Sequence, residues 1–210
     1  MTPTIQSLLN HLLFQSGSVH DLGLFHGKTG IAMALYLYAR QTADALVEDC
    51  AWELLSSVYD GMHSDMPLGL ERGLAGIGYG VTLLCREGIL EGDLNSILSE
   101  VDAKIMERDP RRVTDFSVRT GVRGLQLYLA LRQQTQGTLE SFDPQYLCEL
   151  RQRMAGTDRT PFRPLELMDI LHKPSFPMED YAGKPTGIDA GSGWYLLDSV
   201  SPSVSGHERN

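Results

Sequence analysis

A glycine-rich phrase recurs along this chain at nearly constant spacing, and no other feature restricts the possible folds as much. It reads GLFHGKTGIA over 23–32 and GLERGLAGIG over 69–78, which places Gly27 and Gly73 46 residues apart. A weaker copy, RTGVRGL over 119–125, sets Gly121 a further 48 residues on. The stretch Gly187-Ile188-Asp189-Ala190-Gly191-Ser192-Gly193-Trp194 begins the same way, and reads as a fourth copy that has lost a residue between its last glycines. Together the copies hold more than half of the chain's 21 glycines, so the glycine surplus is the repeat itself. Self-similarity at this period is the mark of a supersecondary unit repeated along the chain.

The phrases lead into stretches with helical patterning: AMALYLYAR over 32–40, GYGVTLLCR over 78–86 and LQLYLALR over 125–132. Glycine before a helix permits positive φ and brings two backbones closer than a Cβ allows. It also leaves the first-turn N–H groups open to solvent, a ligand or a neighbouring loop. Gly27, Gly30, Gly73, Gly76, Gly121 and Gly124 are therefore read as structural glycines, and Gly76, Gly78 and Gly80 as a helix face pressed against another helix. The intervening segments 44–63, 94–106 (with Asp93 as N-cap) and 142–154 carry apolar residues at helical spacing. Ile5–Phe14 and 164–171 add short helices, and nothing alternates with period two. The sequence predicts an all-α chain with one helical hairpin per repeat. Its boundaries are a single domain over 1–198, with repeats near 23–68, 69–116 and 117–156 and a degenerate one over 157–198, followed by a flexible tail over 199–210.

Charge removes several function classes. The formal net charge of −9 repels phosphate backbones, which argues against nucleic acid as a partner. Lys104 to Arg123 is the one basic stretch, a solvated helix end and loop or else a patch for an anionic ligand. No apolar run is long enough to cross a bilayer, and the start of the chain lacks the basic residues of a secretion signal. Three widely spaced cysteines, Cys50, Cys85 and Cys148, fit a reducing cytoplasm better than a disulfide framework. The four tyrosines Tyr36, Tyr38, Tyr79 and Tyr128 follow helical spacing and read as interhelical packing.

The phrases GLFHGKTGIAMALYLYAR and GLERGLAGIGYGVTLLCRE resemble the glycine-led repeats of the lanthionine synthetase C-like family. The resemblance covers roughly residues 20–135 and, faintly, 185–198. It implies an α/α toroid, in which inner and outer rings of helices alternate and the glycine loops face the centre of one end. Active members close thioether rings on dehydrated peptides with a zinc ion, held by two cysteines and a histidine in Trp-Cys and Cys-His-Gly motifs. Neither motif occurs here. His26-Gly27 is preceded by Phe25 where a cysteine would stand, and the three cysteines fall inside helical segments. At about 47 residues per hairpin, the family's seven hairpins would need more than about 300 residues. The sequence thus reads as a partial or contracted toroid, with no metal or other cofactor and doubtful cyclisation chemistry.

Arranged as the resemblance implies, the loops would bring His26, Lys28, Glu71, Arg72, Arg119, Arg123 and Asp189 to one end. Arginine forks and open N–H groups there suit a peptide carboxylate, a phosphate or a sugar; the other reading is solvated loop charges, with Glu71 and Arg72 pairing across neighbouring loops. Three functions follow. The first is a non-catalytic member of the resembled family that binds a peptide or partner protein in peptide or glycan modification. The second is a toroid enzyme acting on glycans through Glu71 and Asp189, about 5–5.5 Å apart for retaining chemistry. The third is a plain helical scaffold. Phe162, Leu165, Leu167 and Phe176 would cap an exposed flank, favouring a monomer over a ring-completing homodimer.

Overall fold

The computed structural model describes residues 3–157 and 165–200. Ten helices and no strand occur among the described residues: α1 (Pro3–Ser16), α2 (Lys28–Thr42), α3 (Ala45–Gly61), α4 (Leu74–Arg86), α5 (Leu94–Ile97), α6 (Ser99–Met106), α7 (Val122–Gln136), α8 (Pro144–Thr157), α9 (Leu167–Ile170) and α10 (Gly193–Val200). The chain is all-α, as its patterning indicates. No helix among the described residues is long and apolar enough to cross a membrane. Phe162, offered as a capping contact, and most of the tail over 199–210 lie outside the described residues.

Several boundaries differ from the sequence reading. The helices α2, α4 and α7 each begin immediately after a cap glycine, three or four residues before the apolar run. The helix expected over 94–106 is two, because Leu98 leaves helical geometry at φ −100°, ψ 8°. Asp93 does cap α5, accepting from the amides of Asn95 and Ser96. Among the described residues of the helix expected over 164–171, only α9 forms.

The helices α10, α2, α4 and α7 pack side by side in that order, with α3 lying on α2 and α6 on α4. Glycine sets how close they come. A Cβ on Gly78 would lie 2.5 Å from the ring of Tyr128 on α7, and one on Gly80 would lie 2.8 Å from Thr29 on α2. The two faces of α4 are thus bare on opposite sides, each against a different neighbour. Leucine, isoleucine and valine from every long helix fill the core, together with Tyr36, Tyr38, Tyr79 and Tyr128.

One polar network runs through that core. Arg132 and Asp102 are both fully buried and paired, and the Tyr128 hydroxyl donates to Asp102 Oδ1 at 2.5 Å. Ser141 donates to Asp102 Oδ2, while Arg132 reaches the Leu94 carbonyl and Asn95. Burial and the Asp102 charge push the Tyr128 hydroxyl well above its usual pKa, so it stays a donor. The network ties α5, α6, α7 and the end of the connection to α8 together. Removing one member of a buried pair strands the other charge, so Asp102→Ala should cost about 3–5 kcal/mol of unfolding free energy. Urea denaturation checks this; a loss below about 1 kcal/mol, the scale of an ordinary hydrogen bond, would contradict it.

Candidate functional site

Four loops precede α2, α4, α7 and α10, and they share one hydrogen-bond register. In each, an amide at or just before the helix start donates to the carbonyl seven residues earlier: Lys28 to Asp21, Leu74 to Pro67, Val122 to Asp115 and Ser192 to Pro185, at 2.7–3.0 Å. The next amide repeats the pattern in three of them, Thr29 to Leu22, Ala75 to Leu68 and Gly193 to Thr186. The sequence leaves these donors open to solvent, a ligand or a neighbouring loop, and the loop's own carbonyls occupy them instead. The cap glycines also depart from expectation. Gly27, Gly73 and Gly121 are extended, with φ of −110° and no positive φ. Their need for glycine is spatial: a Cβ on any of them would lie within 2.5 Å of a loop carbonyl oxygen.

This register corrects the reading of the fourth copy. Ser192 occupies the position of Lys28, Leu74 and Val122, so Gly191 is the equivalent of the cap glycines and no residue is missing. Trp194 stands where the others have Gly30, Gly76 and Gly124, and Gly193 is one position early.

Adjacent loops are joined backbone to backbone at the residue two before each cap glycine. The Glu71 amide donates to the Arg119 carbonyl, the Phe25 amide to the Glu71 carbonyl and the Asp189 amide to the Phe25 carbonyl, at 2.8–3.0 Å. The first glycine of a phrase makes this approach possible: a Cβ on Gly23 would lie 2.4 Å from the Arg72 Cα, and one on Gly69 2.5 Å from the Thr120 Cα. Arg119, Glu71, Phe25 and Asp189 therefore form a row, one from each loop.

Their side chains meet as well. The Arg119 guanidinium grips Asp189 through both terminal nitrogens, at 2.6 and 3.2 Å. Its Nε donates to Glu71 Oε2 at 3.0 Å, and its plane lies over the buried Phe25 ring, 4.6 Å from the centroid. His26 places Nε2 3.1 Å from Glu71 Oε1 and 3.7 Å from Asp189 Oδ2. From outside the loops, the His172 amide donates to Asp189 Oδ1 at 2.7 Å, and its ring Nδ1 lies 3.2 Å from the same oxygen. Asp189 is 3% exposed, whereas His26, Glu71 and Arg119 remain 20–28% exposed. The cluster is anchored underneath and open above.

Of the seven residues expected to converge, His26, Glu71, Arg119 and Asp189 do. Arg72 sits at the rim, bridging to Asp21 of the neighbouring loop at 3.1 Å and 3.9 Å from Glu71. Lys28 turns away and donates to Ser57 on α3 at 3.1 Å, because its position is already the first residue of α2. Arg123 lies half-buried in the first turn of α7. Phe25 and His172 belong to the site although the sequence reading did not place them there. Phe25 shares the loop position of the charged residues and was legible from it; His172 lies in a segment without periodicity and carried no signal. The basic stretch is largely committed internally: Arg108 donates to the Ser64 and Met66 carbonyls, Arg111 and Arg112 pair with Asp109, and Lys104 pairs with Glu100.

This geometry takes the Arg119 fork from any incoming carboxylate or phosphate, since two carboxylates already fill it. Glu71 and Asp189 outnumber the single Arg119 guanidinium between them, which favours an incoming donor or cation over an anion. Zinc, which the resemblance implies for active relatives, does not fit these residues. Phe25 offers no ligand atom, and the Arg119 guanidinium lies between the two carboxylates. The cysteines sit on α3, α4 and α8. Among the described residues no group of three or more His, Cys, Asp or Glu is arranged to hold a metal ion. Comparison with protein-family models, curated proteins and solved structures returns no match.

Burial alone would raise the Asp189 carboxyl, but the Arg119 hydrogen bonds, the His172 amide and the nearby positive charge outweigh it and hold the pKa below the usual carboxylate value. A depressed folded-state pKa stabilises the fold above the unfolded value of about 3.9, and that contribution is lost as pH falls through the depressed value. Stability measured by urea titration should therefore decline below about pH 4, and Asp189→Asn should lower it at neutral pH while flattening the acid slope. Parallel pH curves for the two proteins would contradict this role.

Proposed function

We propose that this chain is a non-catalytic protein of lanthionine synthetase C-like type, a partial α/α toroid whose loop end receives a peptide or partner protein instead of catalysing ring closure. The observation that carries the reading is the row of Arg119, Glu71, Phe25 and Asp189. The family's Cys-His-Gly motif sets its zinc-binding cysteine at this same loop position, two before the cap glycine. Here a guanidinium supplies the central positive charge and two carboxylates neutralise it. The common register of the four loops, and the lateral order of α10, α2, α4 and α7, support the toroid-like arrangement. Those helices follow the glycine loops, as inner helices do in the resembled family.

Glycan hydrolysis finds less support. Glu71 and Asp189 lie on the same end, but Arg119 bridges them and Asp189 is held ionised. A glycosidase of this type needs one carboxyl whose pKa is raised so that it can deliver a proton. A plain scaffold, in turn, gives no reason for a partly exposed, four-loop charge cluster around a buried aspartate. The exposed atoms of His26, Glu71 and Arg72 present hydrogen-bonding groups along the cluster's rim, which suits peptide backbone and basic side chains.

A dehydrated, cysteine-containing peptide incubated with the protein and zinc should form thioether rings no faster than in protein-free buffer. A fluorescent copy of that peptide should bind, and the double variant His26→Ala, Glu71→Gln should weaken binding by about tenfold or more, the equivalent of about 1.4 kcal/mol. Accelerated ring closure would overturn the non-catalytic reading, and binding untouched by the double variant would overturn the assignment of the loop end.

A further inference from the structure

Away from the four loops, a second surface has the makings of a recognition site. A groove of about 400 Å³ runs between α3 and the α4–α5 connection, within the roughly 300–1,000 Å³ usual for ligand clefts. Trp52, Leu55, Val81, Leu90 and Ile97 line it. Trp52 is 59% exposed, an unusual cost for a tryptophan that has no polar duty in the fold. Tyr59 closes the floor, its hydroxyl donating to the Ile97 carbonyl at 3.2 Å. Burial, with the added charges of Cys85, Asp102 and Glu100, pushes that hydroxyl up to about 12, so it stays neutral in the groove.

The rim is of one sign. Asp60 and Glu91 line the groove directly, and both segments that build it lack cations. Residues 44–60 carry Asp44, Glu48, Asp49, Glu53 and Asp60 with no lysine or arginine, and residues 87–100 carry only the acidic Glu87, Glu91, Asp93 and Glu100. The cations that flank these segments each have an acidic partner: Arg40 and Arg86 beside Glu87, Arg72 with Asp21, and Lys104 with Glu100. An apolar floor inside an acidic rim repels nucleic acid and anionic lipid surfaces. It complements a helix with one apolar stripe and flanking lysines or arginines.

We propose that this groove docks a basic amphipathic helix from a partner peptide or protein. Apolar residues spaced i, i+3 or i+4, and i+7 would pack on Trp52, Leu55 and Ile97, with basic residues over Asp60 and Glu91. The proposal goes beyond the reading of the loop end and does not depend on it, since the groove is built from different residues.

The test uses the full chain and a fluorescein-labelled synthetic helix with leucine at the stripe positions and lysine elsewhere, read by anisotropy. A scrambled peptide of the same composition is the control. The intact protein should bind the amphipathic peptide and bind the scrambled one at least about tenfold more weakly. Trp52→Glu should weaken binding by a similar factor, and the double reversal Asp60→Lys, Glu91→Lys should weaken it and reduce its sensitivity to salt. Both variants alter exposed or rim side chains, and circular dichroism verifies that each is folded. No binding to the intact protein, equal binding of the scrambled peptide, or unchanged binding in both variants would overturn the proposal. So would self-association of the chain that Trp52→Glu abolishes, since a second copy would then be the occupant.

Discussion

The bidentate contact between Arg119 and Asp189 joins the two ends of a row that backbone hydrogen bonds build one neighbour at a time. Arg119 contacts Glu71, Glu71 contacts Phe25 and Phe25 contacts Asp189 through their main chains. The side chains then return from the first loop to the last, across the Phe25 ring. Because Asp189 is buried, removal of Arg119 would leave an uncompensated carboxylate beneath the loops, a far larger penalty than the loss of an exposed ion pair. The same contact draws in the segment before α10: Arg119 also donates to the Ile170 carbonyl, and the Ala190 amide donates to the His172 carbonyl. Loop packing, the placement of α9 and the chemistry of the site therefore meet at one guanidinium.

Much of this was written into the glycine spacing. The recurrence of Gly27, Gly73 and Gly121 locates three helix starts, and the apolar periodicity after them leaves no room for strands. The identity of the contacts was less legible. Glycine at a helix start suggests positive φ and open amides, whereas Gly27, Gly73 and Gly121 use extended geometry and are small because loop carbonyls crowd them. The third copy looked weak because Ser117 replaces the first glycine, yet its loop keeps the register. The fourth looked shortened because Gly193 resembles a displaced third glycine; letters alone do not show that Ser192 bonds to Pro185 as Lys28 does to Asp21. Loop membership brings together His26, Glu71, Arg119 and Asp189, whose side chains are in contact. It could not show that Lys28 faces α3, or that His172 joins from a stretch with no pattern at all.

Two surfaces of different character result. At the loop end, the one guanidinium is already filled by two carboxylates, so specificity there would come from shape and from the rim groups of His26, Glu71 and Arg72. Along α3, an apolar floor lies open between the acidic side chains of Asp60 and Glu91. An acidic protein with such a groove attracts basic segments at long range and holds them by apolar contact.

A double-mutant cycle on Arg119→Met and Asp189→Asn, with unfolding free energies from urea denaturation, tests the central claim most directly. If the guanidinium holds the ends of the loop row together, the two changes will couple by about 1 kcal/mol or more, within the range found for residues sharing one network. Effects that add to within about 0.3–0.5 kcal/mol, as for independent sites, would show that the loops hold their arrangement without that contact.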